Sequence, residues 1–336
     1  MMGIPGLELA ALQRYFGEHV PECAGPLEAE LIHGGRSNLT YLVTDGQARW
    51  IVRRPPLGPL TPSAHDMGRE FRVMSALQDT AVAVPRTVAM CEDAEVIGAP
   101  FSVVAYVTGR VLRTQEELDD LTPAQLDACA DGLVNQLAAL HAVPYQEIGL
   151  ADFGRPEGYL ARQVKRWRGQ WDLVATRDLP DLHRLHHLLE STTPAESAAS
   201  IVHGDFRVDN TILAPDDLGR VLAVVDWELS ALGDPLADLG TFLAYRDPVV
   251  DALLGEPTAT SSTRFPDRTA LAERYAARSG RDLSELPFYL ALAYFKIAVI
   301  AEGIHARHLQ GATVGRGFDA IGKSVPTLVQ NGLEQL

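Results

Sequence analysis

His203-Gly204-Asp205-Phe206-Arg207-Val208-Asp209-Asn210, followed after a turn by Arg220-Val221-Leu222-Ala223-Val224-Val225-Asp226-Trp227-Glu228, is the stretch on which the reading of this sequence turns. Ile201-Val202 precedes the first block, Thr211–Ala214 follows it, and Pro215-Asp216-Asp217-Leu218-Gly219 has turn composition. Val221–Val225 is a short apolar run of the kind that forms a buried strand, and it delivers Asp226 at its end. Two carboxylates and a carboxamide, Asp205, Asp226 and Asn210, are thereby placed around one loop by rigid elements. Phosphoryl transfer needs such a set: a carboxylate to orient and deprotonate an acceptor hydroxyl, and an Asn and an Asp to hold Mg²⁺. Capping side chains at two strand ends would explain one such triplet, but less well the whole series at this spacing. His203 reads as a residue that packs the loop rather than as a proton shuttle.

Upstream of this block the chain is rich in short strands. Asn38–Val43 and Ala48–Arg54 flank Thr44-Asp45-Gly46-Gln47, which predicts a β-hairpin. A helix is expected from about Ser63 to Leu77, with Met67, Glu70, Met74 and Leu77 on one face. Phe101–Val107 is a further strand, and Gly109 ends it. Beyond it the character is helical. Thr122-Pro123 supplies an N-cap with Pro at the first helical position, and Leu126, Cys129, Leu133, Leu137 and Leu140 form a stripe running to His141. Tyr159–Ala175, Pro180–Ser191, Thr269–Ser279 and Leu286–His308 have helical patterns, and Thr258–Thr263 is expected to be a surface loop. The fold class is α+β in two lobes, a small β-rich N-lobe (1–104), a connecting hinge (105–109) and a larger, mostly helical C-lobe (110–336).

Composition narrows the function classes. With 29 Lys and Arg against 44 Asp and Glu, the 336 residues carry a formal charge of −15, which argues against nucleic acid as a partner. Lysine occurs only at Lys165, Lys296 and Lys323; every other cation is Arg. Cys23, Cys91 and Cys129 lack metal-ligand or redox spacing, and Glu8, Arg14 and Glu18 interrupt any apolar leader, so a reduced, cytoplasmic protein is expected. Phe288–Ile304 is the one candidate membrane span; Lys296 and Glu302 break it, and it reads as a core helix with no membrane partner.

The Asp205-to-Asn210 spacing resembles the aminoglycoside phosphotransferase and choline kinase family, whose loop carries His-Gly-Asp where protein kinases have His-Arg-Asp. The chain is most similar to the bacterial subgroup related to the kinase-like domain fused to acyl-CoA dehydrogenase in larger proteins. Gly34-Gly35-Arg36-Ser37-Asn38-Leu39-Thr40-Tyr41, Val52-Arg53-Arg54-Pro55-Pro56 and Leu232-Gly233-Asp234-Pro235-Leu236-Ala237-Asp238-Leu239-Gly240 add to the likeness, which runs from about residue 25 to 325. It implies a protein-kinase-like fold, ATP or alternatively GTP as phosphate donor, and Mg²⁺. It implies Asp205 as catalytic base, Asn210 and Asp226 as metal ligands, Ser37 and Asn38 near the phosphates, and Ala105 and Val107 as hinge groups for adenine.

One position departs from the pattern. Kinases of this shape use a strand Lys paired with a helix Glu, and no Lys precedes Lys165. Arg53 stands in that place. It shares a strand face with Ile51, opposite Trp50, Val52 and Arg54. Glu70, on an apolar stripe, needs a partner, and Arg53 is the candidate; the alternative has Arg54 facing inward and Arg53 in solvent. On the substrate side, Arg207, Glu228 and Arg307 are candidate contacts, and Lys296 with Arg307 on one helical side would suit an anion. Asp234 and Asp238 read as helix caps ahead of cation-binding groups. The resulting expectation is a kinase for a hydroxylated small molecule, a hydroxyacyl or hydroxyacyl-CoA compound or an aminoglycoside-like antibiotic. The alternatives are a nucleotide-binding pseudokinase and, without support from any motif, an acyl-CoA dehydrogenase.

Overall fold

A computed structural model of the chain describes residues 4–32, 38–58, 66–255, 257–311 and 320–336. The chain divides into two compact units, Met1–Thr108 with Leu222–Glu228, and Gly109–Val221 with Leu229–Leu336.

The first unit opens with α1 (Leu9–His19), capped by Glu8, whose carboxylate accepts the Ala11 N–H at 2.6 Å. Then follow β1 (Glu28–Leu31), β2 (Leu39–Thr44), β3 (Arg49–Arg54), α2 (Met67–Leu77), β4 (Thr87–Cys91) and β5 (Phe101–Ala105), the strands forming one sheet of order β1-β2-β3-β5-β4 with antiparallel neighbours. The expected hairpin is β2–β3. Asp45 accepts the N–H groups of Gln47 and Ala48, and Gly46 takes the positive φ of +87° that the turn requires. Period-two alternation sends Tyr41, Val43, Trp50 and Val52 into a core with Leu12, Phe16 and Phe101. Arg54 follows on that same face and is buried there, its guanidinium donating to the carbonyls of Gly6 and Ile97 at 2.7 Å each. Ile51 and Arg53 therefore point the other way.

Two boundaries differ from the sequence expectation. Helix α2 starts at Met67, because Asp66 takes the N-cap position and accepts the Arg69 N–H; Ser63 lies outside the described residues. Strand β5 stops at Ala105, where the Ala105 N–H turns to the Arg86 carbonyl. The segment Leu222–Glu228 joins this unit through the Val224 N–H, which donates to the Ala83 carbonyl at 2.8 Å.

The second unit runs α3 (Pro123–Ala142), α4 (Tyr159–Val174), α5 (Pro180–Ser191), β6 (Ser200–Val202), β7 (Thr211–Leu213), β8 (Val221–Val224, of which Val221 belongs here), β9 (Ala231–Gly233), α6 (Pro235–Ala244), α7 (Asp251–Leu254), α8 (Arg268–Ser279), α9 (Leu286–Leu309) and α10 (Ile321–Leu333). Thr122 and Gln125 form a reciprocal capping box at the start of α3. Strands β6 and β9 pair antiparallel. Helix α9 is the centre of the unit, packed by α4, α5, α6 and α10. By length and composition it could cross a membrane, but 67% of its most apolar stretch is buried inside the protein, as a core helix requires. Thr258–Thr263 is a correction: Thr258, Ala259, Thr260, Ser261 and Ser262 are buried. Asp251 accepts from Thr258 and Ser261, and Arg246 donates to the carbonyls of Thr260, Ser262 and Phe265, while the Thr260 hydroxyl is buried without a hydrogen-bond partner among the described residues.

Candidate active site

The cationic centre of the first unit is Arg53. Its Nη1 lies 3.3 Å from Glu70 Oε2 and its Nη2 lies 2.9 Å from Asp226 Oδ1. Glu70 is 1% exposed, so Arg53 is the ion partner that Glu70 needs on the apolar face of α2. Burial pushes the Glu70 carboxyl up to about 7, the charges of Asp226 and Glu228 push the same way, and Arg53 pulls against them. Burial works against the charge on Arg53, but Glu70 and Asp226 hold its guanidinium above the ordinary arginine value.

Oxygens of Glu70, Asp226 and Glu228 come within 4.8 Å of one another. Asn38 stands over two of these acids, its amide donating to Glu228 at 3.1 Å and Glu70 at 3.4 Å. Asp226 is the one non-glycine residue with positive φ among the described residues, at +68°. Such a conformation costs about 1–2 kcal/mol and is retained where a side chain must be aimed. Buried Trp227, whose Nε1 donates to the Val224 carbonyl at 2.9 Å, holds the turn.

In the second unit, the loop between β6 and β7 carries Asp205. Asp205 Oδ2 accepts from Asn210 Nδ2 at 3.1 Å, and Oδ1 accepts from the Tyr245 hydroxyl at 2.5 Å. Arg207 lies 3.4 Å from Asp205 and 3.3 Å from Asp209, with its guanidinium over the Tyr245 ring. His203 is fully buried and its Nδ1 accepts the Asp205 N–H, so it braces the loop.

Asp234 does cap α6, accepting the Leu236 N–H at 2.9 Å. Asp238 does not. From within α6 it accepts the His203 N–H at 2.6 Å and the Gly204 N–H at 2.8 Å. His141 faces Asp238 through Nε2 at 3.3 Å and Tyr275 through Nδ1 at 2.7 Å. Burial holds the imidazole below its ordinary value, and a neutral ring accepting from Tyr275 and donating to Asp238 satisfies both contacts. Gly204 sits at φ +84°, where a Cβ would lie 2.6 Å from the Leu229 carbonyl oxygen. Lys296 reaches out of α9 to donate to the Gly204 carbonyl.

The structure brings Asp205, Asn210 and Arg207 together in one unit and Arg53, Glu70, Asn38, Asp226 and Glu228 together in the other. Ser37 lies outside the described residues. Ala105 spends its N–H on Arg86, which leaves its carbonyl to offer, and Val107 follows the end of β5. Arg307 is exposed and eleven residues from Lys296, about 16 Å along the helix. Tyr245, His141 and the loop-clamping role of Asp238 carried no sequence signal; each is tens of residues from the loop it supports. Cavity size is no guide either. A cavity of about 640 Å³ is lined by Tyr15, His19, Cys91 and Glu95 and shares no residue with these clusters.

The model of the phosphotransferase enzyme family matches residues 28–289. The chain belongs to that family. Among structures of similar proteins, a Ralstonia eutropha JMP134 protein assigned provisionally to the aminoglycoside phosphotransferases is 36% identical, covers 98% of each chain and superposes with a TM-score of 0.83. The aminoglycoside phosphotransferase APH(4)-Ia, solved with ADP and hygromycin B, is 14% identical with a TM-score of 0.63 over 96% of this chain and 98% of its own; that likeness is one of fold. The fold of this phosphotransferase-family chain is the two-lobed kinase-like fold, with a β-rich N-terminal part and a helical C-terminal part. Acyl-CoA dehydrogenase family member 11 of Gallus gallus is 35% identical over 335 residues, 96% of this chain and 43% of that protein. Member 10 of Mus musculus is 33% identical over 95% of this chain and 30% of its own length. The chain spans less than half the length of these curated relatives.

Proposed function

We infer that this family member is a small-molecule kinase that moves the γ-phosphate of ATP, or of GTP, onto a hydroxyl, with Asp205 as base. The observation that carries this reading is the Asp205 carboxylate, fixed by the Asn210 amide five residues on. In the step proposed, the acceptor oxygen forms a bond to the γ-phosphorus as the bond from that phosphorus to the β–γ bridging oxygen breaks. The acceptor proton passes to Asp205, and nucleoside diphosphate leaves.

The residues fit the cation that such chemistry uses. Asp226 belongs to a group of hard carboxylate oxygens, and Asn210, having spent its amide nitrogen on Asp205, retains its amide oxygen. Asn210 and Asp226 would each give an oxygen to Mg²⁺, which supplies charge neutralisation at the phosphates. Arg53, oriented by Glu70, would grip phosphate oxygens with its planar fork. The Ala105 carbonyl and the Val107 N–H would meet adenine.

For the acceptor, similarity along almost the whole chain to acyl-CoA dehydrogenase family members 10 and 11 supports a hydroxyacyl compound or its CoA thioester ahead of an aminoglycoside. A pseudokinase is the second reading, because Arg53 is held by both Glu70 and Asp226 and is not the usual Lys.

A mass-spectrometric screen separates the two. Protein, Mg²⁺ and ATP or GTP are incubated with hydroxy acids, hydroxyacyl-CoAs, aminoglycosides, macrolides and choline, beside Asp205→Ala. A phosphorylated product lost in the variant is expected. Nucleotide-induced thermal stabilisation without product from any acceptor would favour the pseudokinase.

A further inference from the structure

We propose that Tyr245 is a positioning residue, which holds the Asp205 carboxylate in the orientation that receives the acceptor proton while leaving its negative charge intact. The proposal rests on Asp205 being the catalytic base. Two hydrogen-bond donors and one cation reach this carboxylate. Asn210 Nδ2 and Arg207 Nε address Oδ2, at 3.1 Å and 3.4 Å; the Tyr245 hydroxyl, from the C-terminal end of α6, addresses Oδ1 at 2.5 Å. They differ in kind. Arg207 is a cation, and a full ion pair with Asp205 would neutralise the charge a base must keep. A phenol is neutral, so it fixes geometry without that neutralisation.

Tyr245 is well placed for the task. It is 6% exposed, and its ring carries the Arg207 guanidinium at 5.2 Å from the centroid. Arg207 is also engaged by Asp209 at 3.3 Å. The ring thus keeps Arg207 turned partly toward Asp209 while the hydroxyl claims Oδ1. Burial and the nearby Asp205 charge keep the phenol protonated, hence a donor. An oxygen has two lone-pair directions, so Oδ1 can accept from Tyr245 and still take an acceptor O–H. Without the hydroxyl, Oδ1 loses its donor, and Asn210 alone restrains the carboxylate against rotation about its Cβ–Cγ bond toward Arg207.

The test is Tyr245→Phe, which keeps the ring under Arg207 and removes one oxygen, with the melting temperature as fold control. The kinetic arm measures phosphate release from Mg·ATP and Mg·GTP with water as acceptor. Water forms the new bond to the γ-phosphorus, the bond to the β–γ bridging oxygen breaks, and the water proton goes to Asp205. The expected result is a fall in kcat of about 10- to 100-fold, the worth of a hydrogen bond to a charged group, with nucleotide KM within about twofold. An unchanged kcat overturns the proposal, and so does a rise in KM alone.

The second arm compares crystal structures of wild type and Tyr245→Phe without nucleotide. Rotation of the Asp205 carboxylate toward Arg207 is expected in the variant; the same carboxylate orientation in both refutes the positioning role. If wild type and Asp205→Ala release phosphate equally slowly, the reading of Asp205 as base fails, and the crystallographic arm alone decides whether Tyr245 orients it.

Discussion

Replacing Arg53 by Met leaves Glu70 buried without its cation, and the cost can be worked from the structure. Breaking a buried ion pair by removing one partner costs about 3–5 kcal/mol. Glu70 has an escape, since it can take a proton and remain buried as a neutral acid. From its ordinary value of 4.5 that escape costs about 1.4 kcal/mol per pH unit, so about 4 kcal/mol at pH 7.5 and about 2 kcal/mol at pH 6.

The sign follows from linkage. A carboxylate whose folded pKa rises above its unfolded value binds more protons when folded, so stability is lost as pH rises from the unfolded value to the folded one. With Arg53 present the Glu70 carboxyl already stands at about 7, so Arg53→Met adds only the remainder, about 1 kcal/mol at pH 7.5 and little at pH 6. Adding Glu70→Gln is expected to restore most of the loss, because an amide costs far less to bury than a charge. The assay is urea unfolding in EDTA at the two pH values for wild type, both single variants and the double. A loss below about 0.5 kcal/mol at pH 7.5, or one equal at both pH values, would refute the argument that Arg53 neutralises a buried Glu70.

Two other positions give sharp expectations. His141 is held below its ordinary value of 6.5, so in acid the unfolded chain takes a proton that the folded state refuses. Its contribution is complete above pH 6.5 and is lost, by up to about 1.4 kcal/mol per pH unit, as pH falls below it; His141→Gln should show a shallower acid slope in melting temperature, and parallel curves would exclude the effect. Gly204→Ala puts a Cβ 2.6 Å from the Leu229 carbonyl oxygen at φ +84°, so a loss of about 2 kcal/mol or more is expected by calorimetry, and a neutral outcome would mean that the loop shifts freely.

What the sequence alone determined is local. Asp205 and Asn210 are five residues apart on one loop, Asp226 ends a strand, and Glu70 lies on an apolar helical stripe; short-range periodicity and spacing suffice for these. Parity along β3 gave both readings of the arginines, with Arg53 opposite Trp50 and Val52. The tertiary structure decided between them, because it shows Arg54 enclosed by the carbonyls of Gly6 and Ile97 and Arg53 against Glu70 and Asp226. It also placed Leu222–Glu228 in the first unit, which no linear reading offers, since the Val224 N–H finds its acceptor at the Ala83 carbonyl far upstream.

Helix caps misled for the same reason. Gly-Asp-Pro-Leu announces a cap at Asp234 correctly, but Asp238 serves a loop 35 residues upstream, and nothing within reach of the chain's local chemistry says so. Tyr245, 40 residues after Asp205, is likewise an ordinary aromatic at the end of an apolar helix until folding brings its hydroxyl to the carboxylate. Periodicity reports which face of an element is buried. Which partner waits on that face is set by packing between elements, and there the sequence by itself falls silent.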